Sequence, residues 1–407
     1  MRDDKNGGLE QRTESELEIT EREMNSVSED IRVLLLSTGY SDTVHPLVRL
    51  SAPGGMEICY GDITEKWESA EILEIAPDDS RFKNSNIRLE PLNENEEICV
   101  NNIERSYGNP TYTGVIELQT TAEGIAIINE LPLEKYLCKV VPSEMPASYE
   151  LEALKAQAVC ARSYAYRQMQ EYGYPEYEAH VDDSTKFQVY NNSPAQETTT
   201  KAVEETAGEE GWYQGNVATT YYYSTSCGKT TDMTAWGSVA NEGNSYLQSV
   251  NLSGENGDYE KELPWYKWTA TVSVQTLSNL VGLNTRVDVG VIQTVEVTKR
   301  GAGDVALQVV VTGEKGSVTV DTENKIRTAL GGSGYTITKN DGSVVESMSL
   351  LPSAFFTIEK QGDTFVIEGG GFGHGIGMSQ NGANEMAKAG MDYIEILQTF
   401  YQGITVE

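Results

Sequence analysis

A single glutamate between two prolines is the first group in this sequence that could do chemistry. It lies in the run Val141-Pro142-Ser143-Glu144-Met145-Pro146, where the prolines restrict the backbone on both sides. Burial beside apolar groups raises the pKa of a carboxyl group, as a general acid that works near neutral pH requires. The alternative is an ordinary acid near the start of a helix, where it would only complement the helix dipole.

A glycine-rich segment around one histidine is the second candidate. It reads Gly371-Phe372-Gly373-His374-Gly375-Ile376-Gly377 and is followed by Met378, Ser379 and Gln380. So many glycines indicate positive φ angles and a backbone that a ligand can approach closely. No Lys-Ser/Thr pair and no βαβ pattern accompany them, which argues against a nucleotide loop. Ser379 is predicted to cap the next helix, and a tight turn with an incidental histidine is the alternative.

Small hydroxyl side chains beside tyrosines form the third candidate. The run Ser224-Thr225-Ser226-Cys227-Gly228-Lys229 follows three consecutive tyrosines, and such a surface could bind a sugar through Ser224 and Ser226. Two alternatives stay open. Cys227 with His374 could be a thiol nucleophile and its base, or the run could be a polar turn without function.

The composition limits the kinds of partner. Thirty basic residues stand against 62 acidic ones, which gives a net charge of −32. A field of this sign repels phosphate backbones, which argues against nucleic acid as a partner, and it also opposes adsorption to anionic lipid. The five cysteines include no Cys-x-x-Cys pair, although Cys59 and Cys99 could pair in an oxidising compartment.

The length of 407 residues predicts two to three domains. Residues 1–30 are polar and are predicted to be a linker or disordered stump, and residues 31–112 a β-rich module. No signal peptide and no apolar stretch of 18 residues occurs. The polar start after Met1 looks like the stump of a truncated chain whose anchor lay upstream.

Residues 113–407 predict an α+β domain with a β-rich core. Paired strands are expected over 114–119 and 124–129, and the apolar run 133–141 is a short helix or a strand closed by Pro142. Ser148 is predicted to cap a long helix after Glu144, which Gly173 stops. Further helices are predicted over 194–206, 380–389 and 393–400, and mostly strands over 268–320.

Several of these segments together match a known family. The chain resembles the SpoIID/LytB proteins over residues 113–407, with the motifs in the family's order. The segments that carry the resemblance are Asn129–Leu137, Val141–Pro146, Glu152–Ala165, Ser224–Thr230, Leu351–Ser353 and Gly373–Ala383.

The resemblance implies a lytic transglycosylase that cleaves the glycan strands of peptidoglycan after their stem peptides have been removed. Glu144 matches the catalytic acid. One carboxyl group suffices for this reaction, because the C6 hydroxyl of the sugar itself attacks and closes a 1,6-anhydro ring. The resemblance implies that Arg162 and Lys229 bind substrate. His374, Ser379 and Gln380 match the glycine-rich motif of the family, and we infer that they bind substrate together with Ser224 and Ser226.

One departure from the family concerns zinc. Some relatives hold zinc with a histidine and two cysteines in the stretch after the long helix. Here the corresponding stretch, residues 180–192, contains His180 but no cysteine. We therefore predict no metal and no cofactor.

The family also implies partners and a location. A wall amidase and a membrane scaffold are the partners expected, with an extracellular or wall-facing, membrane-anchored location. The main alternative to an enzyme is a non-catalytic module that binds glycan and assists a wall amidase. Because only an enzyme needs its acid for turnover, replacement of Glu144 distinguishes the two.

Overall fold

The computed structural model describes residues 30–83, 85–93, 96–239 and 241–407. Over these residues the protein is a mixed α+β structure, which confirms the predicted fold class. The chain divides into two units: the first runs to Glu144 and adds Gln168–Ala195, and the second comprises Met145–Arg167 and Gln196–Glu407. The linker predicted for residues 1–30 lies outside the described residues, apart from Asp30.

Among its described residues, the first unit contains two sheets and one α-helix. Its strands are β1 (Ile31–Leu34), β2 (Val48–Ser51), β3 (Met56–Tyr60), β4 (Ile63–Trp67), β5 (Leu73–Ile75), β6 (Ile87–Pro91), β7 (Ile98–Val100), β8 (Thr111–Tyr112), β9 (Val115–Thr120), β10 (Ile125–Leu131) and β11 (Val181–Asp182). The helix is α1 (Leu133–Glu144). One sheet has the strand order β11-β1-β10-β9-β6-β3-β4, and the other has the order β5-β2-β7-β8.

The predicted boundary at residues 112/113 does not separate two sheets. Strands β9 and β10 pair with each other as predicted, but β10 also pairs with β1, and β9 pairs with β6. Buried residues alternate over the first three residues of β1 and of β6. Such a pattern shows that a strand has an inward face, but it does not show which strand lies beside it. Cys59 and Cys99 lie in different sheets of this unit as free thiols.

The second unit contains helices α2 (Leu151–Gln168, whose last residue is grouped with the first unit), α3 (Glu197–Glu205), α4 (Val274–Thr285), α5 (Glu323–Leu330), α6 (Gln380–Lys388) and α7 (Tyr393–Phe400). Its strands are β12 (Gly211–Tyr213), β13 (Asn216–Val217), β14 (Tyr222–Tyr223), β15 (Ser253–Gly254), β16 (Gly257–Asp258), β17 (Trp268–Ser273), β18 (Ile292–Arg300), β19 (Ala306–Gly313), β20 (Gly316–Asp321), β21 (Gly332–Lys339), β22 (Val344–Met348), β23 (Phe356–Gln361), β24 (Thr364–Gly369), β25 (Met378–Ser379) and β26 (Thr405–Val406).

The larger sheets of this unit have the orders β22-β21-β17-β24-β23 and β18-β19-β20, and the smaller ones β13-β12-β26, β14-β25 and β15-β16. Short 3-10 turns occur at Ser80–Lys83, Pro175–Tyr177, Met233–Trp236, Glu242–Asn244 and Ala302–Asp304. Among the described residues, no helix combines the length and apolar character that crossing a membrane requires.

The predicted helices α2, α3, α6 and α7 are confirmed, with differences at their ends. Helix α2 begins at Leu151, so Ser148 does not cap it, and it ends at Gln168, before Gly173. The prediction for 268–320 missed α4, because its valines and threonines favour strands. The signal for that helix was the cap at its start, where Ser273 Oγ accepts the N–H of Thr276 at 3.0 Å.

A buried ion pair stabilises the first unit. Arg105 Nη2 lies 2.6 Å from Asp183 Oδ2, and their side chains are 2% and 0% exposed. The same guanidinium donates to the carbonyl of Leu36 at 2.7 Å, and Leu36 N–H donates to Asp183 at 3.0 Å. Burial nevertheless raises the pKa of Asp183 to about 6, because Arg105 offsets only part of the lost hydration.

Removing the cation of this pair tests how much the first unit depends on it. We expect Arg105→Met to lower the free energy of unfolding by about 3–5 kcal/mol, because it leaves a buried carboxylate without its cation. Urea unfolding followed by circular dichroism measures the change. The control is Arg49→Met, which breaks an ion pair with Glu74 whose side chains are 48% and 55% exposed. It should cost less than about 1 kcal/mol, and equal effects of the two variants would contradict the argument.

Candidate active site

Glu144 is the last residue of α1 and does not lie at the start of the helix that follows. The helix continues through Pro142, which was predicted to close it. A proline lacks the N–H for one helical hydrogen bond and its ring crowds the preceding turn, and the helix ends two residues later, at Glu144. Ser143 Oγ supports the last turn by donating to the carbonyl of Lys139 at 2.6 Å.

A backbone amide of the same unit donates a hydrogen bond to the carboxyl group of Glu144. The N–H of Val189 donates to Glu144 Oε1 at 2.7 Å, and the glutamate is half-buried. Two effects on this carboxyl group oppose each other. The carbonyl end of a helix disfavours a second negative charge, whereas a donated N–H stabilises the carboxylate.

The residue after Val189 fixes the position of that amide. Tyr190 is fully buried, and its hydroxyl donates to Asn129 Oδ1 at 2.8 Å. Its ring lies 5.8 Å from that of Tyr112 and 4.7 Å from that of Tyr136, measured between centroids. Because the anchor is rigid, the amide of Val189 is oriented toward Glu144 before any substrate arrives.

A cavity of ≈ 650 Å³ lies beside this amide, within the first unit. Val189 itself lines it, together with the polar side chains of Tyr40, Ser106, Lys186 and Asn192. The volume falls in the range of about 300–1,000 Å³ that is typical of ligand pockets. Hydroxyl, amide and ammonium groups of this kind can form hydrogen bonds with a sugar.

The stretch 180–192 does not fit a zinc ion. The ring of His180 stacks on that of Tyr172 at 4.9 Å, and its Nδ1 accepts the N–H of Arg32 at 3.0 Å. Among the described residues, no three histidine, cysteine or acidic side chains are grouped so that they could hold a metal. The stretch is fixed instead by the ion pair of Asp183 and by the buried Tyr190.

The structure brings the other two candidate segments together in the second unit. Thr225 and Phe372 exchange backbone hydrogen bonds of 3.0 and 2.8 Å, and the N–H of Thr231 donates to the carbonyl of Gly375 at 2.7 Å. Strands β14 and β25 pair in parallel on the other side of this contact. The serine-rich and glycine-rich segments are therefore two parts of one structure.

The glycines have the predicted positive φ angles. The group that approaches their backbone closely, however, belongs to the protein itself and is not a ligand. Gly371, Gly373, Gly375 and Gly377 all have positive φ. At Gly377 a Cβ atom would lie 2.0 Å from the carbonyl oxygen of Tyr221, so only glycine fits.

The contacts of His374 argue against the thiol mechanism. Its Nε2 lies 2.9 Å from the carbonyl of Tyr222, and its Nδ1 accepts the N–H of Ile376 at 3.1 Å. Desolvation lowers the pKa of His374 to about 4, and burial raises the pKa of the Cys227 thiol to about 11. Such a thiol is protonated at neutral pH, and both nitrogens of its supposed base are already in use.

A buried glutamate that sequence reasoning missed connects the two segments. Glu260 is fully buried; it accepts the N–H of Ser226 at 2.9 Å and the hydroxyl of Ser379 at 2.8 Å, and its second oxygen accepts the Ser226 hydroxyl. Ser379 also caps α6 as predicted, accepting the N–H of Gly382 at 3.2 Å. Burial raises the pKa of Glu260 to about 7.

The remaining predicted substrate-binding residues differ in exposure. Arg162 is 1% exposed and donates to the carbonyls of Glu209 and Val203 at 3.0 and 3.3 Å, and Gln380 is 8% exposed. Ser224 and Lys229 are half-buried and keep some contact with solvent. Arg162 and Gln380 thus have contacts inside the unit, and their contact with substrate stays a prediction.

Two family models match the chain. One described as stage II sporulation protein matches residues 121–213, and a domain of unknown function matches residues 226–377. An uncharacterized protein of Brachyspira hyodysenteriae is 32% identical over 299 residues, which cover 72% of each chain. Stage II sporulation protein D of Bacillus subtilis is 32% identical over 294 residues, which cover 69% of this chain and 75% of that protein. The chain belongs to the SpoIID family.

Membership of the SpoIID family confirms the resemblance seen in the motifs. The segment 121–213 contains both Glu144 and Val189, so the hydrogen bond between them lies within the part that defines the SpoIID match. The amidase enhancer of Bacillus subtilis is also similar to this SpoIID chain. It is 28% identical over 295 residues, which cover 66% of the chain but 39% of that protein.

The raised pKa of Glu260 predicts a pH dependence of stability. The carboxyl group titrates near 4.5 when unfolded and at about 7 in the fold. Between these values the folded protein binds more protons than the unfolded one, so the free energy of unfolding falls as pH rises. We expect Glu260→Gln to reduce this fall, as measured by urea unfolding at pH 5 and pH 7.5. Identical pH profiles of variant and parent would show that Glu260 does not titrate in this window.

Proposed function

We propose that the protein is a lytic transglycosylase that cleaves peptidoglycan glycan strands from which stem peptides have been removed. The observation that supports this most is the hydrogen bond from Val189 to Glu144 beside a polar cavity. It holds one carboxyl group through the amide of Val189, a residue that also lines a ligand-sized cavity, and a reaction with a single acid requires such a fixed group.

The proposed reaction uses Glu144 twice. The protonated acid first gives its proton to the glycosidic oxygen, and the bond from that oxygen to the muramic C1 breaks. The C6 hydroxyl of the same sugar then attacks C1, and Glu144 takes back the hydroxyl proton. The products are a 1,6-anhydro-muramic end and a free hydroxyl, and the acid is regenerated.

The family supports the biological setting of this proposal. Its curated relatives include proteins named for stage II of sporulation, so we propose a role in the cell wall during sporulation. A substrate of peptidoglycan requires an extracellular or wall-facing location. The partners proposed are the glycan strand, a wall amidase that removes the peptides, and a membrane scaffold protein.

A second candidate function is a non-catalytic module that assists an amidase. The similarity to a protein named amidase enhancer favours it. Such a module would bind glycan strands without cleaving them, and it would not need the carboxyl group of Glu144.

Replacing the acid tests the two functions against each other. We expect Glu144→Gln to reduce formation of 1,6-anhydro-muramic ends from peptide-free strands by about 10²–10⁴-fold, because the amide cannot give or take the proton. Mass spectrometry of the products measures this loss, and glycan binding should persist. The matched control is Glu134→Gln in the first turn of the same helix, which should keep its activity. Absence of cleavage by the parent protein, with binding intact, would favour the amidase-assisting module.

Removing metal tests the prediction that this protein needs no zinc. We expect a chelator to leave cleavage unchanged, because residues 180–192 contain no cysteine and the proposed acid needs no metal. The same product assay, before and after dialysis against the chelator, measures this. Loss of cleavage that zinc restores would contradict the prediction.

A further inference from the structure

A second cavity lies within the segment 226–377, which matches the domain of unknown function. It has a volume of ≈ 660 Å³ and is bordered by the start of β17, the end of β21, the start of β23 and the end of β24. All of its lining residues belong to the second unit. It shares no lining residue with the cavity beside Val189.

Positive charge collects around this cavity although the whole chain carries a net charge of −32. Lys229, Lys267, Arg300 and Lys339 line it, against the carboxylates of Asp304 and Glu368. Among the described residues, Lys229, Lys267 and Lys339 have no carboxylate within ion-pair distance. A concave surface of this kind concentrates anions.

Lys339 lies at the end of strand β21 in the sheet, and Lys267 directly precedes strand β17. Lys339 is paired in register with Trp268, which is also paired with Gly369. A Cβ atom at Gly369 would lie 2.2 Å from the indole ring of Trp268, so the glycine makes room for that ring. Lys339 Nζ lies 5.1 Å from the ring centre of Trp265, and Lys267 Nζ lies 5.7 Å from that of Tyr266.

Arg300, another cation at this cavity, is anchored to the backbone. Arg300 donates to the carbonyls of Asp304 and Phe356 at 2.9 and 2.8 Å. Phe355 and Phe356 also line the cavity, but at 9% and 3% exposure they offer little surface to a ligand, whereas Tyr266 in the same lining is only half-buried. The cavity thus combines cationic side chains at its border with a tyrosine, which fits an anionic group attached to a sugar.

We propose that this cavity binds the carboxylate of a sugar acid in the glycan strand, namely the lactyl group of muramic acid after its peptide has been removed. Peptide removal turns an uncharged amide into a free carboxylate, and the unpaired lysines provide the partners for that new charge. The inference rests on the proposed function for the choice of glycan strand as ligand. Strands that still carry their peptides lack the lactyl carboxylate and bind this cavity more weakly.

Binding of matched oligosaccharides to the full chain tests this inference. The first probe is a tetrasaccharide of alternating N-acetylglucosamine and N-acetylmuramic acid with free lactyl carboxylates. The second is a tetrasaccharide of N-acetylglucosamine alone, which has the same backbone without carboxylates. Calorimetry in the Glu144→Gln background keeps both probes intact during the measurement.

We expect Lys267→Met and Lys339→Met each to weaken binding of the muramic tetrasaccharide by about 10-fold, the size of one lost charged hydrogen bond. The matched control is Lys325→Met, an exposed lysine of α5 away from the cavity, which should leave the affinity unchanged. The uncharged tetrasaccharide should bind the parent more weakly and should not respond to any of the three variants. Circular dichroism verifies that each variant is folded.

Three results would overturn the assignment. They are equal binding of the two tetrasaccharides, unchanged affinity in both cavity variants, and inorganic phosphate binding as tightly as the muramic probe, which would indicate a general anion site. These outcomes are distinct from failure of the proposed function. A parent protein that cleaves no glycan but loses muramic binding in the lysine variants would refute the transglycosylase and retain the cavity assignment.

Discussion

A buried carboxyl group persists in a fold only where donors surround its oxygens, and Glu260 meets this requirement with two serines from distant segments. Its position determines where the serine-rich and glycine-rich segments meet. Backbone bonds at Thr225 and Thr231 then align the rest of both segments. In the sequence these hydroxyls and glycines resemble a ligand site. In the structure the hydroxyls bind the protein's own carboxyl group, and the glycines make room for its own carbonyl groups.

In the first unit, a cation compensates the buried carboxyl group. Arg105 compensates the buried Asp183, and the segment that begins there continues to the buried Tyr190. Val189 lies between these two anchors, so its amide has little freedom. The orientation of the candidate acid Glu144 thus depends on groups that take no part in the proposed reaction.

Local signals in the sequence predicted the features that depend on residues close together along the chain. The two prolines marked Glu144, and capping and spacing marked α6 and α7. Long-range pairing had no such signal. The pairing of β10 with β1 crossed the predicted boundary, and nothing in the polar surroundings of Glu260 indicated its burial. The cations of the second cavity come from separate segments of the chain, so their grouping appears only in three dimensions.

The hydrogen bond between Val189 and Glu144 joins residues 45 positions apart, and the chain leaves the first unit after Glu144 and returns to it at Gln168. During synthesis the acid therefore emerges well before the amide that orients it. A nascent chain that ends before Val189 contains the glutamate without its partner. Completion of the candidate site therefore depends on residues that are made later, because the amide that binds Glu144 is added 45 positions after it.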